Sequence, residues 1–247
     1  MRYALQWLRS LLFIVLIYGA MLPYALAYLP WAIVSPRGAT AAAHGWCGFV
    51  KFAARWLVGI RTEVRGTPPT GEVMIAAKHQ SFLDIILIYS AVPRGKFIMK
   101  RELIWAPILG QYALRLGCVP VDRGKRGAAI KKMVADVAAG RALPGQLIIY
   151  PQGTRIPPGV KAPYKIGTGI LYQELAQDCV PVACNVGLLW PKRGIYRKPG
   201  LATVEFLPPI PPGLPTAAFM KRLEDAVEGR SNALMAEAGF HPDEAAA

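Results

Sequence analysis

The stretch from Glu72 to Ala91 reads EVMIAAKHQSFLDIILIYSA and decides the fold of this chain. Its first six residues predict a short buried strand, and the residues from Phe82 to Ala91 predict an apolar helix. A short polar segment, KHQS at 78–81, joins the two. A strand that feeds a helix through a short loop is the unit from which parallel α/β sheets are built.

Six more segments have the composition of strands, and Gly, Pro or charged residues bound most of them. They are Ile60–Val64, Lys96–Met99, Cys118–Val121, Gln146–Tyr150, Val180–Asn185 and Ala202–Phe206. Helices are predicted at Ala41–Val58, Ile104–Leu116, Ala128–Ala139, Gly169–Ala176 and from about Thr216 onward. This alternation predicts an α/β fold, a mostly parallel sheet flanked by helices, with ligands beyond the carboxyl ends of the strands.

The N-terminal segment predicts a membrane anchor. No charged residue occurs between Ser10 and Ser35, a length that suits a spanning helix of about 20 residues. Pro23 disfavours one straight helix, so two short helices bent there and lying in one leaflet are the alternative. A cleaved signal peptide is a third possibility, because Ala25–Ala27 mimics a cleavage site, although apolar residues continue to Val34. We expect residues 1–58 to form membrane-associated helices and residues 59–247 the α/β domain.

Composition narrows the class of partner. Lys and Arg number 29 against 15 Asp and Glu, a net charge of +14, while 53% of the 247 residues are hydrophobic. This excludes a disordered chain, and a basic, apolar protein favours anionic lipid over nucleic acid. The cysteines form no CxxC pair and predict reduced core thiols in a cytosolic compartment, with no metal site or disulfide; they are Cys47, Cys118, Cys179 and Cys184.

The first polar cluster pairs His79 with Asp84. Four apolar residues follow Asp84, and an ionised carboxylate among them is costly unless it is paired. On one helix the two side chains would diverge by about 140°, but a loop at His79 allows the chain to fold back. A carboxylate on one imidazole nitrogen raises the basicity of the other, as a general base for a hydroxyl requires. The alternative is that Asp84 merely caps the helix.

The second cluster places cations after two other strands. The strand Cys118–Val121 is followed by DRGKR at 122–126, in which Arg123 is the best candidate for bidentate phosphate contact. Lys100 closes the strand Lys96–Met99 in a similar way. A solvated basic turn is the alternative interpretation.

The third cluster, YPQGTR at 150–155, ends another strand. Gly153 permits a tight turn with exposed N–H groups, and Thr154 and Arg155 add donors suited to an anion. An ordinary polar turn would show the same bare pattern.

In this order the clusters resemble the signature of the glycerolipid acyltransferase family, most closely the bacterial 1-acylglycerol-3-phosphate acyltransferases. The family pattern is a His, four residues and an Asp, then a strand ending in Arg, a Pro-Glu-Gly-Thr-Arg turn and a Val-Pro-Val strand. The matching residues here span roughly 70 to 190 and are His79 and Asp84, Arg123, Pro151–Arg155 and Val180–Val182.

The resemblance implies a reaction and a site. His79 would take the proton from the sn-2 hydroxyl of a lysophosphatidic acid, and Asp84 would orient and charge-stabilise the imidazole. The hydroxyl would attack an acyl thioester, which is either acyl-CoA or an acyl group carried by acyl carrier protein. The product would be phosphatidic acid, and no metal or other cofactor would be needed. The resemblance assigns substrate binding to Lys100, Arg123, Gln152, Gly153, Thr154 and Arg155. It also implies an enzyme at the inner membrane whose catalytic domain faces the cytoplasm.

Two positions depart from the family pattern. Gln152 stands where Glu is usual, so it keeps hydrogen bonding but loses the charge. Lys78 stands where Asn is common, directly before His79, and an ammonium there would weaken the base unless it points away.

Three other functions compete with this one. An acyltransferase for another lyso-lipid, such as lyso-ornithine lipid, would need no phosphate site. A lipid hydrolase would have to use Ser81 as its nucleophile. A non-catalytic, basic membrane-binding protein would tolerate replacement of His79.

Overall fold

Seven strands form one sheet in the computed structural model, which describes residues 2–106, 109–121, 128, 131, 135 and 144–241. The strands are β1 (Ile60–Arg65), β2 (Met74–Ala77), β3 (Gly95–Lys100), β4 (Val119–Val121), β5 (Gln146–Ile149), β6 (Cys179–Cys184) and β7 (Gly200–Phe206). Their order is β1-β7-β6-β2-β5-β3-β4, and every neighbouring pair is parallel except β6 and β7. All seven predicted strands are confirmed, each within two residues of its predicted bounds.

The helices agree less completely with the sequence pattern. They are α1 (Arg2–Val34), α2 (Pro36–Ala53), α3 (Leu83–Ala91), α4 (Leu109–Arg115), α5 (Gly167–Leu175) and α6 (Thr216–Glu237). A π-helical turn, Ala54–Val58, extends α2. The predicted helix Ile104–Leu116 is confirmed at Leu109–Arg115 and wrong at its start, where Ile104 and Trp105 belong to a 3₁₀ turn at Arg101–Trp105. Most of the predicted helix Ala128–Ala139 lies outside the described residues.

The sheet is covered by helices on both faces. Alternate residues of β2 face opposite sides: Ile75 belongs to a core with α1, α2 and α3, and Met74 to a second core with α5 and α6. In the second core the rings of Tyr172 and Phe219 stack with their centroids 3.7 Å apart. Helix α3 is apolar on nearly all sides because it lies between the sheet and α2, and its buried apolar residues are Leu83, Ile86, Leu87, Ile88 and Tyr89.

Helix α1 is continuous through Pro23 and Pro30, so the alternative of two short helices that meet at Pro23 is not seen. Contacts with neighbouring elements hold the second half of α1, from Pro23 onward. The ring of Tyr24 packs on Phe49 of α2. From α4, the Tyr112 hydroxyl donates to the carbonyl of Ala25, and Arg115 Nε donates to that of Ala32. Together these contacts hold the second half of α1 against α2 and α4.

Helix α1 lies along the α/β domain. Near its start, Gln6 donates to the carbonyls of Val58 and Arg197, at 3.0 and 2.8 Å. Near its end it contacts α4. Its outer face exposes large apolar side chains, which include Leu5, Leu8, Leu12, Val15, Leu16, Leu22, Leu26, Leu29 and Ile33. Among the helices that the structure describes, this one has the length and composition of a membrane span, with a mean hydropathy of 2.0.

Candidate active site

His79 and Asp84 meet at the carboxyl end of β2. His79 lies in the loop and Asp84 in the first turn of α3, and His79 Nδ1 is 2.8 Å from Asp84 Oδ1. Because an ionised carboxylate can only accept, Nδ1 carries the hydrogen in this pair and Nε2 is left as the acceptor. No described residue hydrogen-bonds to Nε2. The histidine side chain is 13% exposed and the aspartate fully buried.

The other oxygen of the aspartate is satisfied by the backbone. Asp84 Oδ2 accepts from the N–H groups of Gln80 and Ser81, at 2.9 and 2.7 Å. Ser81 Oγ in turn accepts from the N–H of Leu83, the first residue of α3. The carboxylate, held by these two backbone donors, keeps the imidazole in one orientation.

The third sequence cluster wraps around the histidine. The ring of Tyr150, at the end of β5, stacks on His79 with centroids 4.0 Å apart. Further along, the N–H of Ile156 donates to the His79 carbonyl at 2.8 Å. Burial, and then the nearby Asp84 charge, raise the pKa of the Tyr150 phenol well above its usual value, so this ring is neutral. The loop between Tyr150 and Ile156 is thereby fixed beside the base.

Two residues of this loop are exposed and a third is partly buried. Gly153 has φ +71°, a left-handed conformation that favours glycine, and both it and Thr154 are exposed. Arg155 is partly buried. Donors that end parallel strands at the same edge of a sheet as the base can receive a ligand next to it.

The two other predicted phosphate ligands are placed less fully. Lys100 ends β3, two strands from β2 and at the same edge of the sheet, but its side chain lies outside what the structure describes. Arg123 follows β4 and lies outside the described residues. Both remain predictions.

The two departures from the family pattern meet at one carboxylate. Lys78 is 3% exposed, and its Nζ lies 2.7 Å from both carboxylate oxygens of Glu228 in α6. Gln152 Nε2 lies 3.4 Å from Glu228 Oε1, and the Tyr164 hydroxyl donates to the same oxygen at 2.9 Å. The Lys78 ammonium is therefore directed to Glu228 and neutralised there, which removes the expected conflict with His79.

Glu228 is a residue that sequence reasoning missed. It is 150 positions from Lys78 and lies beside the buried stripe of α6, next to Val227. The available signal was a lysine between a buried strand and an apolar helix, which requires a counter-charge. Nothing local in the sequence shows which of the acidic residues supplies it.

Glu228→Gln is expected to destabilise the protein by on the order of 3 kcal/mol, because it leaves the buried Lys78 ammonium without its counter-charge. The double variant Lys78→Met/Glu228→Gln should recover most of this loss, since no unpaired charge remains. Urea unfolding of the single and double variants measures both effects. Glu224→Gln, an exposed residue one turn earlier, is the matched control. Equal stability of Glu228→Gln and Glu224→Gln would contradict the assignment.

The arrangement can perform general base chemistry on a hydroxyl. It has a histidine with one nitrogen fixed by a buried carboxylate, and donors for an anion on the adjacent loop. Among the described residues, no group of His, Cys, Asp and Glu could hold a metal ion. The four cysteines are buried thiols, and burial raises the pKa of Cys118 and of Cys47, the latter to about 12, so neither is a thiolate nucleophile.

Three curated proteins illustrate the similarity of this chain to known sequences. The 1-acyl-sn-glycerol-3-phosphate acyltransferase of Pseudomonas aeruginosa is 30% identical over 163 residues, which cover 65% of this chain and 63% of that protein. The protein of the same name from Limnanthes alba is 32% identical over 186 residues, 74% of this chain and 64% of that protein. The human alpha form is 31% identical, covering 64% and 57%. The chain thus spans less than two thirds of each relative.

A solved structure and a family model extend the comparison. The crystal structure of the 1-acyl-sn-glycerophosphate (LPA) acyltransferase PlsC from Thermotoga maritima has the same fold, with a TM-score of 0.77, 24% identity, and coverage of 95% of this chain and 99% of that chain. The Acyltransferase family model matches residues 61–185, about half of the chain. That segment runs from β1 past the end of β6 and includes the His79–Asp84 pair and the loop around it, and the chain therefore belongs to the acyltransferase family.

Proposed function

We propose that this chain transfers an acyl group from an acyl thioester to the sn-2 hydroxyl of 1-acylglycerol-3-phosphate and so forms phosphatidic acid. The observation that carries the proposal is the 2.8 Å contact between His79 Nδ1 and the buried Asp84 carboxylate, which leaves Nε2 as the acceptor. The names of the relatives support the choice of acceptor. Acyl-CoA and acyl carrier protein are the two candidate donors, and the net charge of +14 suits either acidic partner.

In the proposed reaction His79 Nε2 takes the proton of the acceptor hydroxyl as its oxygen attacks the thioester carbonyl carbon. The imidazolium that forms is stabilised by Asp84. The tetrahedral intermediate then breaks its carbon–sulfur bond, and His79 gives the proton to the departing thiolate. An ester and a free thiol result, with no covalent acyl-enzyme and no metal or other cofactor.

The acceptor phosphate is assigned to the loop beside the base. Arg155 supplies a guanidinium for bidentate contact, and Gly153 and Thr154 offer backbone and hydroxyl donors. Gln152 is buried beneath this loop, where it orders the turn through Glu228. Arg123 and Lys100 are proposed to complete the phosphate site from the ends of β4 and β3.

A lipid hydrolase is disfavoured because Ser81, the residue that would have to be its nucleophile, is not accessible. Ser81 is fully buried and its oxygen accepts the Leu83 N–H, so it cannot reach a thioester or ester carbonyl. A hydroxyl that accepts from the first residue of α3 and is closed off from solvent serves the structure of the loop.

The test is acyl transfer in detergent micelles, with lysophosphatidic acid as acceptor and acyl-CoA or acyl carrier protein as donor. Mass spectrometry of the extracted lipids should show phosphatidic acid with at least one donor. Failure with both donors, together with transfer to lyso-ornithine lipid, would replace the proposed acceptor. Failure with every acceptor would leave the non-catalytic membrane-binding function.

We also propose that α1 lies within one leaflet of the inner membrane and that the catalytic domain faces the cytoplasm. Support comes from contacts at both ends of the helix: Tyr3 stacks on Tyr196, and Arg115 donates to the Ala32 carbonyl. A helix held to one domain at both ends cannot pass through the bilayer and leave that domain on one side. Its exposed apolar face would then contact the acyl chains.

Cysteines introduced one at a time at Ala4 and Val34 test this arrangement, because both positions are exposed and the native cysteines are buried. A membrane-impermeant thiol reagent should label both positions in inverted inner-membrane vesicles. Labelling of the two positions from opposite sides would show a spanning helix instead.

A further inference from the structure

The loop from Trp190 to Lys198 is held rigidly by a buried arginine. Arg197 is 5% exposed, and its Nη1 donates to the carbonyls of Gly194, Ile195 and Tyr196 at 2.9 to 3.3 Å. Its guanidinium also lies over the Trp190 ring, 4.7 Å from the centroid. Burial lowers the pKa of Arg197 to about 10, so the side chain is still charged at neutral pH. The loop therefore has a defined shape rather than that of a solvated turn.

The same loop is attached to helix α1. The N–H of Arg197 donates to Ser10 Oγ at 2.9 Å, and Gln6 donates to the Arg197 carbonyl at 2.8 Å. Tyr196 stacks on Tyr3, with centroids 5.0 Å apart. These contacts fix the loop relative to the surface at which a lipid headgroup would enter.

The free side of this loop brings a second cation to the exposed turn of the third cluster. Lys192 Nζ donates to Thr154 Oγ1 at 3.3 Å, and the Lys192 carbonyl lies 3.5 Å from Arg155 Nη1. The third cation is Lys165, whose ammonium group lies against Gly153. If Gly153 carried a Cβ atom, that atom would be only 2.5 Å from Lys165 Nζ. The ammonium groups of Lys192 and Lys165 thus lie at the turn that carries the guanidinium of Arg155.

No carboxylate among the described residues forms an ion pair with these three cations. Within the part of the chain that the structure describes, the ion pairs with Asp and Glu involve other residues, and none includes Arg155, Lys165 or Lys192. Like charges brought together without a carboxylate repel one another, and an anion with several acceptor oxygens relieves that repulsion. A phosphate monoester carries close to two negative charges and three such oxygens.

We propose that Lys192, together with Lys165, is a further recognition residue for the acceptor and selects a lyso-lipid whose headgroup is a phosphate monoester. This inference rests on the proposed function, since it concerns the acceptor of the same reaction. Lys192 adds a point charge at Thr154, the residue before Arg155, and its loop is anchored by Arg197. A lyso-lipid without a phosphate monoester gains less from these charges.

The test measures lysophosphatidic acid binding without any acyl donor, so that no reaction is needed. Isothermal titration in detergent micelles compares the wild type with Lys192→Met, Lys192→Arg and Lys198→Met. Lys198 is an exposed cation of the same loop, and its replacement is the matched control for overall charge. Lys192→Met should raise the Kd roughly fivefold to thirtyfold, about the loss of one charge-assisted contact. Lys192→Arg should retain most of the affinity and Lys198→Met all of it.

The same variants are then assayed for transfer. Lys192→Met should raise the KM for lysophosphatidic acid by a similar factor and leave kcat within about twofold. Its Kd should be unchanged for a lyso-lipid with no phosphate. An unchanged Kd in Lys192→Met, with an active wild type, would overturn this inference alone. Binding that depends on Lys192 without transfer by the wild type would instead contradict the proposed function.

Discussion

His79→Ala is expected to lower kcat for acyl transfer to lysophosphatidic acid by about 10²–10⁴-fold, the contribution of a positioned general base. The KM for the acceptor should change little, because the proposed headgroup contacts come from Arg155 and Lys192 and not from the imidazole. The fold should survive, since among the described residues the His79 ring makes one hydrogen bond, to Asp84, and one ring stacking contact, to Tyr150. Steady-state kinetics with saturating donor measures the two parameters separately.

The control for this experiment is a second histidine. His241 is exposed at the end of the described chain, so His241→Ala should transfer at the wild-type rate. Circular dichroism and the urea midpoint establish that His79→Ala is folded. A folded His79→Ala variant that keeps its kcat would refute the proposed mechanism, although membership of the acyltransferase family would stand.

The sequence was sufficient for the part of the site that depends on local order. The strand β2 and helix α3 follow from apolar patterning, and a His and an Asp on the two sides of their junction can meet only if the loop folds back. The structure shows this contact. The parallel sheet then brings the ends of β2 and β5 to one edge, which places Tyr150 beside His79, and Arg155 follows in the same loop. These relations are encoded by spacing and topology.

Contacts between distant segments were beyond the sequence. Lys78 was expected to disturb His79, but Glu228 of α6 neutralises it, and no periodicity relates two residues 150 positions apart. Pro23 disfavours one long helix, yet α1 is continuous through it and packs against α2 and α4. The charges of the loop that contains Lys192 would by themselves predict a solvated turn. The contacts of the buried Arg197 show instead that the loop has a defined shape. In each case tertiary packing outweighs a local preference.

Asp84→Asn is expected to lower kcat by about as much as His79→Ala does. The loss is expected even though the side chains of aspartate and asparagine have the same size. Asp84 Oδ2 accepts from the N–H groups of Gln80 and Ser81, and Oδ1 accepts from His79. An asparagine has one oxygen, which two backbone donors will retain, so its NH₂ group must face His79 Nδ1. That nitrogen then has to accept, and the imidazole hydrogen moves to Nε2. A protonated Nε2 cannot take the proton of the acceptor hydroxyl.

Stability separates this effect from general damage to the site. Asp84→Asn keeps an acceptor for both backbone N–H groups, whereas Asp84→Ala leaves them buried and unsatisfied, at about 1–3 kcal/mol for each. Urea unfolding should therefore rank Asp84→Ala well below Asp84→Asn, while kcat falls by a similar factor in both. Asp225→Asn, an exposed carboxylate paired with Lys221, is the matched control and should change neither quantity by much. A kcat for Asp84→Asn within tenfold of the wild type would mean that the aspartate only shapes the loop and that its charge does not serve the base.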